Sequence, residues 1–428
     1  MSTRAAGFET DFQKLLDAKR ETAADVDALV AVIIEDVAER GDAALIEYTR
    51  RFDCVDLTAS GLPLTGREIE ESAAAASPET VTALRLAAER IEDFHRRQIP
   101  PQIDYVDALG VRLAARWRPV AAAGLYIPGG TAAYPSSVLM TAIPAKVAGV
   151  ERLVMTVPTP NGVLNPLVLA AAKMVGIEEV YRVGGAQAVA ALAFGTATIS
   201  PVDKIVGPGN AYVAAAKRRV FGRVGIDMVA GPSEILVVAD QHNNPEWIAA
   251  DLLSQAEHDS ASQAMLITND DAFGKAVEAA VERHLVRLPR AQIARASWQA
   301  HGSVLLVAGW DEAVSLIDRI APEHLELALD EADSVADRVH HAGAIFLGRY
   351  TPEAVGDYIA GPSHVLPTAR SARFASGLGV LDFVKRTSLL RCDAASFAAL
   401  APSAILLAEA EGLEAHALSV SIRLTSEA

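Results

Sequence analysis

The sequence predicts an α/β protein whose strands run parallel, in two sheets or in one interrupted sheet. Beyond the first hundred residues, short β-rich runs repeatedly end in glycine and open into alanine-rich helical segments. Several runs are continuously apolar rather than alternating, which is typical of parallel strands buried on both faces. With 428 residues, 51% of them hydrophobic, the chain can bury a large core and is expected to divide into two to four units of roughly 100–200 residues.

Helices are predicted before and after this central region. From about residue 10 to residue 100, apolar residues recur at helical spacing, as in 26–40 and 81–97. The final stretch, 394–423, is also predicted to be helical. Between them, the segments expected to carry strands are 152–157, 179–185, 204–210, 235–239, 264–268, 304–307 and 344–347.

Composition and charge exclude several classes of protein. The formal net charge is −16 and no long basic run occurs, so nucleic-acid binding is not expected. No apolar run approaches the ~18 residues of a membrane span, and the first residues lack a signal peptide's apolar core. We therefore expect a cytoplasmic protein without a membrane partner. Cys54 and Cys392 are far apart in the sequence, so a bound metal should have nitrogen and oxygen ligands.

Four glycine turns join predicted strands to predicted helices, at 126–130, 184–187, 207–210 and 230–234. Such a junction offers free N–H groups and the positive end of a helix dipole to an anion. None of them matches Gly-x-Gly-x-x-Gly, and the acidic residue that contacts ribose in that motif is absent. A single turn of this kind is better explained as a tight connection. Four of them in one α/β region favour a cleft for a nucleotide or phosphate.

Gln255 and His258 are candidate metal ligands at the end of an apolar, apparently helical run. Residues three apart on one helical face can converge on an ion, although a helix cap and a solvated side chain are the more usual explanation of such a pair taken alone. Further polar residues, including histidines, cluster around glycine and proline in four later segments, 321–327, 356–358, 361–367 and 409–416. This clustering favours a site.

Together, these segments resemble the histidinol dehydrogenases. The resemblance covers nearly the whole chain and rests on the ordered segments 126–137, 184–188, 207–210, 230–234, 254–258, 322–324, 356–358, 364–368 and 411–416. It implies oxidation of L-histidinol through the aldehyde to L-histidine, the last step of histidine biosynthesis, with two NAD⁺ and one zinc ion per subunit. It also implies two incomplete Rossmann-like α/β domains without the usual glycine fingerprint, plus small helical N- and C-terminal segments.

The corresponding domain boundaries are predictions. We expect an N-terminal helical segment at 1–22 and a discontinuous α/β domain at 23–100 and 236–378, carrying the zinc and acid–base residues. A second α/β domain at 101–235 is expected on the NAD side. The C-terminal helical segment, 379–428, is expected to reach the partner subunit of an intertwined homodimer.

The resemblance implies that zinc is held by Gln255, His258, Asp357 and His416. The substrate's amino and imidazole nitrogens would complete the coordination, and nitrogen and oxygen ligands suit zinc. In this interpretation the metal mainly holds the substrate's reacting carbon toward the nicotinamide. The zinc ligands are therefore also expected to contact substrate.

Glu323 and His324 are the predicted acid–base pair. An imidazole, with its ordinary pKa of about 6.5, suits removal of the hydroxyl proton, and a carboxylate can activate the water that adds to the aldehyde. We assign the first role to His324, which would also contact substrate, and the second to Glu323. The simpler alternative is that Glu323 begins a strand while His324 packs beside Leu325. Glu326 is a competing carboxylate, ranked lower because the resemblance places the acid directly before the histidine.

The remaining expected contacts also follow from the resemblance. Ser233, His364 and Glu411 are predicted to bind substrate, with Glu411 suited to its ammonium group. Tyr126, Gln187 and Asn210 are predicted to bind NAD, although Tyr126 could simply cover the core. In the implied dimer, His416 and Glu411 serve the neighbouring subunit's site.

Departures and alternatives remain. Ser363 precedes His364 where asparagine is more usual, and Asp259-Ser260 follows His258 where a proline is common. Related enzymes oxidise other small alcohols, including sulfonated ones, but segments 130–135 and 231–234 favour histidinol. A zinc hydrolase using Glu323 as base would leave the glycine turns unexplained. A non-catalytic metal- or nucleotide-binding protein would not need the Glu-His pair.

Overall fold

The computed structural model describes residues 1–17, 24–129 and 134–424. Its chain forms two compact units, and the predicted domain boundaries remain predictions. The first unit contains Met1–Gln98 and Val120–Phe383, and the second contains Ile99–Pro119 and Val384–Ala428. Within the described ranges, no helix is both long and apolar enough to cross a membrane.

Helices and strands follow in chain order. The helices of the described residues are α1 (Phe8–Asp17), α2 (Ala24–Arg40), α3 (Asp42–Asp53), α4 (Gly66–Ala74), α5 (Pro78–Arg96), α6 (Pro135–Ala148), α7 (Pro166–Met174), α8 (Gly185–Phe194), α9 (Ala211–Val220), α10 (Pro245–Ala256), α11 (Asp271–Leu285), α12 (Ala291–His301), α13 (Trp310–Ile320), α14 (Ala332–Ala336), α15 (Glu353–Tyr358), α16 (Ala394–Ala410) and α17 (Glu414–Ser421). The strands are β1 (Ile103–Val106), β2 (Arg112–Pro119), β3 (Ala122–Tyr126), β4 (Arg152–Thr156), β5 (Glu179–Tyr181), β6 (Lys204–Val206), β7 (Gly225–Ile226), β8 (Glu234–Ala239), β9 (Gln263–Thr268), β10 (Ser303–Leu306), β11 (His324–Ala328), β12 (Ala344–Leu347) and β13 (Val384–Arg391).

The first unit contains two parallel five-stranded sheets, which confirms the predicted α/β class. We call them sheet I, with the order β5-β4-β3-β6-β7, and sheet II, with the order β10-β9-β8-β11-β12. Counted within each sheet, both orders are 3-2-1-4-5, the doubly wound Rossmann order. The order reverses between β3 and β6 in sheet I and between β8 and β11 in sheet II.

Helices cover both faces of each sheet, so the central strands are buried. Residues from α2, α3, α8 and α9 pack on one face of sheet I, and residues from α4 to α7 on the other. Sheet II lies between α1, α13 and α14 on one face and α10 to α12 on the other. Strands β3, β8, β9 and β11 are buried at every position. This burial explains the continuously apolar runs in the sequence.

Asparagine caps begin several of the covering helices. Asn210 precedes α9, and its side-chain oxygen accepts hydrogen bonds from the N–H groups of Tyr212 (3.1 Å) and Val213 (3.2 Å). Asn244 precedes α10 and accepts from the N–H of Glu246 at 3.0 Å. Each cap satisfies N–H groups that the first helical turn leaves without partners, an interaction worth about 1 kcal/mol.

The second unit has a different architecture. Strands β1, β2 and β13 form an antiparallel sheet in the order β1-β2-β13, and helices α16 and α17 follow it. The two helices lie within the stretch predicted to be helical, 394–423. However, 379–428 also contains β13, which was not predicted. Most of β13 is exposed, so it lacks the apolar run that marks a buried strand.

Candidate active site

The candidate site lies at the amino-terminal edge of sheet II, where the strand order reverses. Glu234 is the first residue of β8, His324 is the first residue of β11, and Glu323 directly precedes it. All three are buried, at 4%, 3% and 6% exposure. Ionised side chains are costly to bury unless they are paired, so this concentration points to a chemical role.

His324 is held so that one ring nitrogen faces carboxylates. Its Nδ1 lies 2.9 Å from the backbone oxygen of Glu234 and 3.3 Å from the Gln255 amide nitrogen. Because the carbonyl can only accept, Nδ1 donates to it. Nε2 is buried without a hydrogen-bond partner among the described residues and lies 3.7 Å from Asp357 Oδ1 and 3.8 Å from Glu353 Oε1. Nε2 is therefore the nitrogen available for proton transfer.

Glu323 is positioned by the same strand. Its Oε2 accepts a hydrogen bond from the backbone N–H of Glu234 at 2.9 Å and lies 3.6 Å from His324 Nδ1. The backbone N–H and C=O of Glu234 therefore hold the carboxylate and the imidazole, respectively. Glu234 is the last residue of the segment 230–234 that supports the family resemblance, but it was not predicted as a site residue.

The pKa values in this cluster are strongly perturbed. Burial raises the pKa of Glu323 to about 7, although His324 opposes the shift. Burial alone would lower the pKa of His324, but the surrounding carboxylates, led by Glu323, raise it to about 10. Burial raises the pKa of Glu353 to about 8, with a further contribution from the charge of Asp357. For Asp357, His324 and His364 outweigh burial and lower the pKa.

The donor set fits a cation such as zinc. Ligand atoms of His324, Glu353 and Asp357 all lie within 4.8 Å of one another. Beside them, Gln255 Oε1 is buried and has no hydrogen-bond partner among the described residues. Nitrogen and oxygen atoms of this kind are ordinary zinc ligands. Two members of the predicted ligand set, Gln255 and Asp357, thus lie in one cluster with His324.

His258 departs from its expected placement on a helical face. Helix α10 ends at Ala256, so Gln255 is in its last turn while His258 lies two residues beyond. The side chain of His258 is partly exposed to solvent. Its partial burial lowers the pKa of the imidazole, and the negative charge of Asp357 opposes this shift. The two residues are therefore not a helical i,i+3 pair, although His258 remains within the electrostatic influence of Asp357.

Glu353 is the main residue that the sequence interpretation missed. It lies four residues before Asp357 in α15, which places the two carboxylates on one side of the helix. Ser254 Oγ donates a hydrogen bond to Glu353 Oε2 at 3.0 Å. Glu326, ranked lower from the sequence, lies in β11 and accepts the backbone N–H of Glu353. The signal that could have revealed Glu353 is its four-residue spacing from Asp357.

His364 connects this edge to the region around sheet I. Its Nδ1 donates to the backbone oxygen of Asp357 at 3.0 Å, and its Nε2 lies 3.2 Å from Ser137 Oγ. Ser137 is in the first turn of α6, the helix that follows β3. Ser233, directly before β8, is partly buried. The other predicted substrate and zinc residues, Glu411 and His416, are exposed in the second unit.

The predicted NAD residues lie at the carboxyl-terminal edge of sheet I. Tyr126 ends β3, and its hydroxyl accepts a hydrogen bond from the N–H of Gly185 at 3.0 Å. Gln187 is buried in the first turn of α8, and Asn210 caps α9. Residues 130–133, which include the last residue of the first glycine turn, lie outside the described residues. The turns at 184–187 and 207–210 lead into α8 and α9 at this edge. The fourth predicted turn, 230–234, instead leads into β8 of sheet II, so it does not join a strand to a helix.

Two Rossmann-like sheets, with a buried Glu323–His324 pair of shifted pKa values beside clustered metal-ligand atoms, are the architecture of an α/β enzyme. The model of the family described as histidinol dehydrogenase matches residues 16–424. A histidinol dehydrogenase of Rhizobium meliloti (strain 1021) is 62% identical over 417 residues, covering 97% of this chain and 96% of the relative. One from Rhodospirillum rubrum is 63% identical over 425 residues, covering 99% and 98%.

A solved structure agrees with the sequence comparison. The crystal structure of histidinol dehydrogenase from Elizabethkingia anophelis has 37% sequence identity to this chain and superposes with a TM-score of 0.93. The match covers 99% of this chain and 97% of that one. This chain therefore belongs to the histidinol dehydrogenase family, as its motifs implied, and is an oxidoreductase.

Proposed function

We propose that the protein oxidises L-histidinol to L-histidine in two NAD-linked steps, as the last reaction of histidine biosynthesis in the cytoplasm. Each step transfers a hydride to NAD⁺ and releases a proton, and one water adds to the aldehyde between the steps. Two NADH therefore form per histidinol. The observation that carries the proposal is the buried Glu323–His324 pair beside Asp357. His364 bonds to the backbone oxygen of Asp357 and contacts Ser137 in the first turn of α6, beside sheet I.

His324 is proposed as the base that removes the hydroxyl proton in the first step. The hydrogen bond from Nδ1 to Glu234 fixes the ring and leaves Nε2 to accept that proton. In the absence of another cation, the surrounding carboxylates keep His324 protonated, with a pKa of about 10. A metal ion bound beside Asp357 would oppose that proton and favour the neutral base.

Glu323 is proposed to activate the water that converts the aldehyde into a gem-diol. Its carboxylate is buried, and its pKa of about 7 lies close to working pH, which is favourable for general base catalysis. The hydrogen bond from the N–H of Glu234 holds one carboxylate oxygen in place. The other oxygen is then available to take a proton from water.

We propose zinc as the metal, held by Gln255, His258, Asp357 and His416. The unpartnered Gln255 oxygen and the adjoining carboxylates support a cation here. Bound zinc would coordinate the substrate and hold its reacting carbon in one orientation. Ser233, His364 and Glu411 are proposed to bind the rest of the substrate, and Tyr126, Gln187 and Asn210 to bind NAD.

A homodimer is proposed because the second unit exposes many large apolar side chains. Leu390 of β13 is 69% exposed, Leu406 and Leu407 of α16 are 66% and 64% exposed, and Leu418 of α17 is 61% exposed. Extensive apolar exposure of this kind marks an interaction surface. Because Glu411 and His416 belong to the same segment, a second copy of the chain would receive them in its own site.

Mixed dimers test this sharing. His258→Ala and His416→Ala subunits should each be inactive as homodimers. If His416 acts across the interface, mixing them creates one site with both histidines intact and restores activity. If His416 acts within its own chain, each site of the mixed dimer carries one defect and activity stays absent.

The defining experiment measures NADH formed per L-histidinol consumed, with zinc-loaded and chelator-stripped protein. We expect two NADH per substrate, lost on stripping and restored by zinc. NAD⁺ binding without NADH formation would indicate another alcohol as substrate. Failure to bind NAD⁺ at all would contradict the proposal and favour the hydrolase alternative.

A further inference from the structure

A buried ion pair lies beneath the carboxyl-terminal edge of sheet I, away from the acid–base cluster. Lys217 of α9 pairs with Asp227, the residue after β7, and their side chains are only 2% and 0% exposed. Burying two charges costs much of what their attraction returns, so an apolar pair would stabilise the fold at least as well. The pair therefore calls for an explanation other than stability.

Both charges bond to one residue, Gly207, through the peptide groups on its two sides. Lys217 Nζ donates a hydrogen bond to the backbone oxygen of Gly207 at 2.9 Å, and the N–H of Gly207 donates to Asp227 Oδ2 at 2.8 Å. Gly207 has a φ of +120°, and a Cβ there would lie 2.1 Å from the backbone oxygen of Tyr126. The ion pair thus fixes a backbone conformation that only glycine can adopt at this close approach.

The fixed residue begins the turn that leads into α9. Gly207 directly follows β6, and Asn210 caps α9 three residues later. This turn stands beside Tyr126 at the end of β3, where the strand order of sheet I reverses. A ligand phosphate at this edge would meet the N–H groups and the positive dipole end of the helix. The orientation of Gly207 consequently determines where those donors point.

We propose that Lys217 and Asp227 are positioning residues that preset the 207–210 turn for the phosphates of NAD. This inference rests on the proposed function in one respect, namely that NAD binds at this edge. Lys217 acts through Gly207, because its ammonium group is buried and already pairs with Asp227 and the Gly207 oxygen. Its charge orients the peptide and does not contact the cofactor.

The test compares two double variants of the full-length, zinc-loaded protein. Lys217→Met with Asp227→Asn removes both charges together, so neither is left buried and unpaired. The matched control, Arg152→Met with Glu179→Gln, removes an ion pair (2.8 Å) at the amino-terminal ends of β4 and β5 in the same sheet. NAD⁺ affinity is measured by direct titration, alongside the KM for NAD⁺, the KM for histidinol and Tm.

We expect the Lys217/Asp227 variant to bind NAD⁺ at least about tenfold more weakly, equivalent to about 1.4 kcal/mol, with the KM for histidinol unchanged within about twofold. The control should lower Tm at most and leave both KM values unchanged. Unaltered NAD⁺ affinity in the Lys217/Asp227 variant, or equal increases in both KM values, would overturn the proposal.

Two further comparisons keep the result interpretable. If the double variant does not fold, Lys217→Arg replaces it, because a guanidinium keeps the charge but cannot reproduce the single-point contact with Gly207. We then expect the same selective loss of NAD⁺ affinity, and its absence counts against the pair. A wild-type protein that binds no NAD⁺ would refute the proposed function instead, before any variant is considered.

Discussion

Sheet I and sheet II have the same strand order, yet their candidate functional residues lie at opposite edges. At the carboxyl-terminal edge of sheet I, glycine turns present backbone groups, and the neighbouring side chains of Tyr126 and Asn210 are neutral. At the amino-terminal edge of sheet II, the strands themselves begin with Glu234 and His324. Ligands of doubly wound sheets ordinarily bind at carboxyl-terminal edges, so only the candidate residues of sheet I lie where this rule expects them.

This difference separates two chemical tasks. An anionic cofactor can be recognised by backbone N–H groups and helix ends, which require precise turns but few buried charges. Proton transfer needs side chains with shifted pKa values, and burial inside a sheet supplies that shift for Glu323 and Glu326. Sheet II thus holds buried carboxylates with raised pKa values, whereas the buried charges beside sheet I, Lys217 and Asp227, pair with each other.

The largest expected effect is at His324. His324→Asn removes the proposed proton acceptor of sheet II, so both oxidations should slow by about 10²–10⁴-fold while NAD⁺ affinity stays unchanged. Single-turnover rates with histidinol and with the aldehyde, together with NAD⁺ titration, provide the measurement. His284→Asn, which alters a histidine bonded to the Glu246 carbonyl, serves as the control. A loss of NAD⁺ binding in His324→Asn would break the separation of tasks between the sheets.

Glu323→Gln should distinguish the two steps within sheet II. Aldehyde oxidation should fall by about 10²-fold because water activation is lost, with a smaller effect on alcohol oxidation. In the wild type, the carboxylate must be ionised to act, so aldehyde oxidation should rise with pH through the Glu323 pKa of about 7. That rise should be absent from the variant. Equal losses in both steps would contradict the assigned division of labour.

A stability measurement tests the electrostatic cost of sheet II. Burial and the nearby Asp251 raise the pKa of Glu326 well above its usual value. The folded state therefore keeps a proton that the unfolded state releases, and stability should fall as pH rises from about 4.5 toward the folded-state pKa. In metal-stripped protein, Glu326→Gln should flatten this decline and add about 1–3 kcal/mol at pH 8, as measured by urea unfolding.

The control for Glu326 is Glu282→Gln, which removes an exposed partner of Arg295. It should change the unfolding free energy by no more than about 0.5 kcal/mol. If the unfolding free energy of Glu326→Gln has the same pH dependence as that of the wild type, the loss of stability at high pH does not arise from this carboxylate.

The sequence revealed the sheets more fully than it revealed the site's surroundings. Apolar runs at 235–239 and 264–268 predicted strands that the structure extends to 234–239 and 263–268. The added residues, Glu234 and Gln263, are polar, and polarity is the reason a search for apolar runs omitted them. The family's motifs supplied Glu323 and His324 as candidates, and the alternative that Glu323 begins a strand is off by one residue, since β11 begins at His324.

Tertiary contacts account for the residues that were missed. Glu353 is a candidate site residue because it lies beside His324 and Asp357. Its proximity to His324 arises only when α15 folds back against the start of β11. Helix α10 ends at Ala256, so His258 lies beyond the helix. The three-residue spacing of Gln255 and His258 did not indicate this helix end. Likewise, β13 is defined by its pairing with β2 over 384–391, since its own side chains are mostly exposed. Local patterns do not contain these distant partners.

The smallest expected effect sharpens the comparison on the sheet I side. Asn210→Ala and Asn244→Ala each remove a helix cap, and each should lower the unfolding free energy by about 1 kcal/mol. Only Asn210 stands at the proposed NAD edge, so only Asn210→Ala should also raise the KM for NAD⁺. Urea unfolding and steady-state kinetics measure the two effects separately. If both variants lose the same stability and neither changes the KM for NAD⁺, Asn210 acts only as a helix cap. Recognition of NAD⁺ at this edge would then depend on the backbone turns that Tyr126 and Gly207 hold in place.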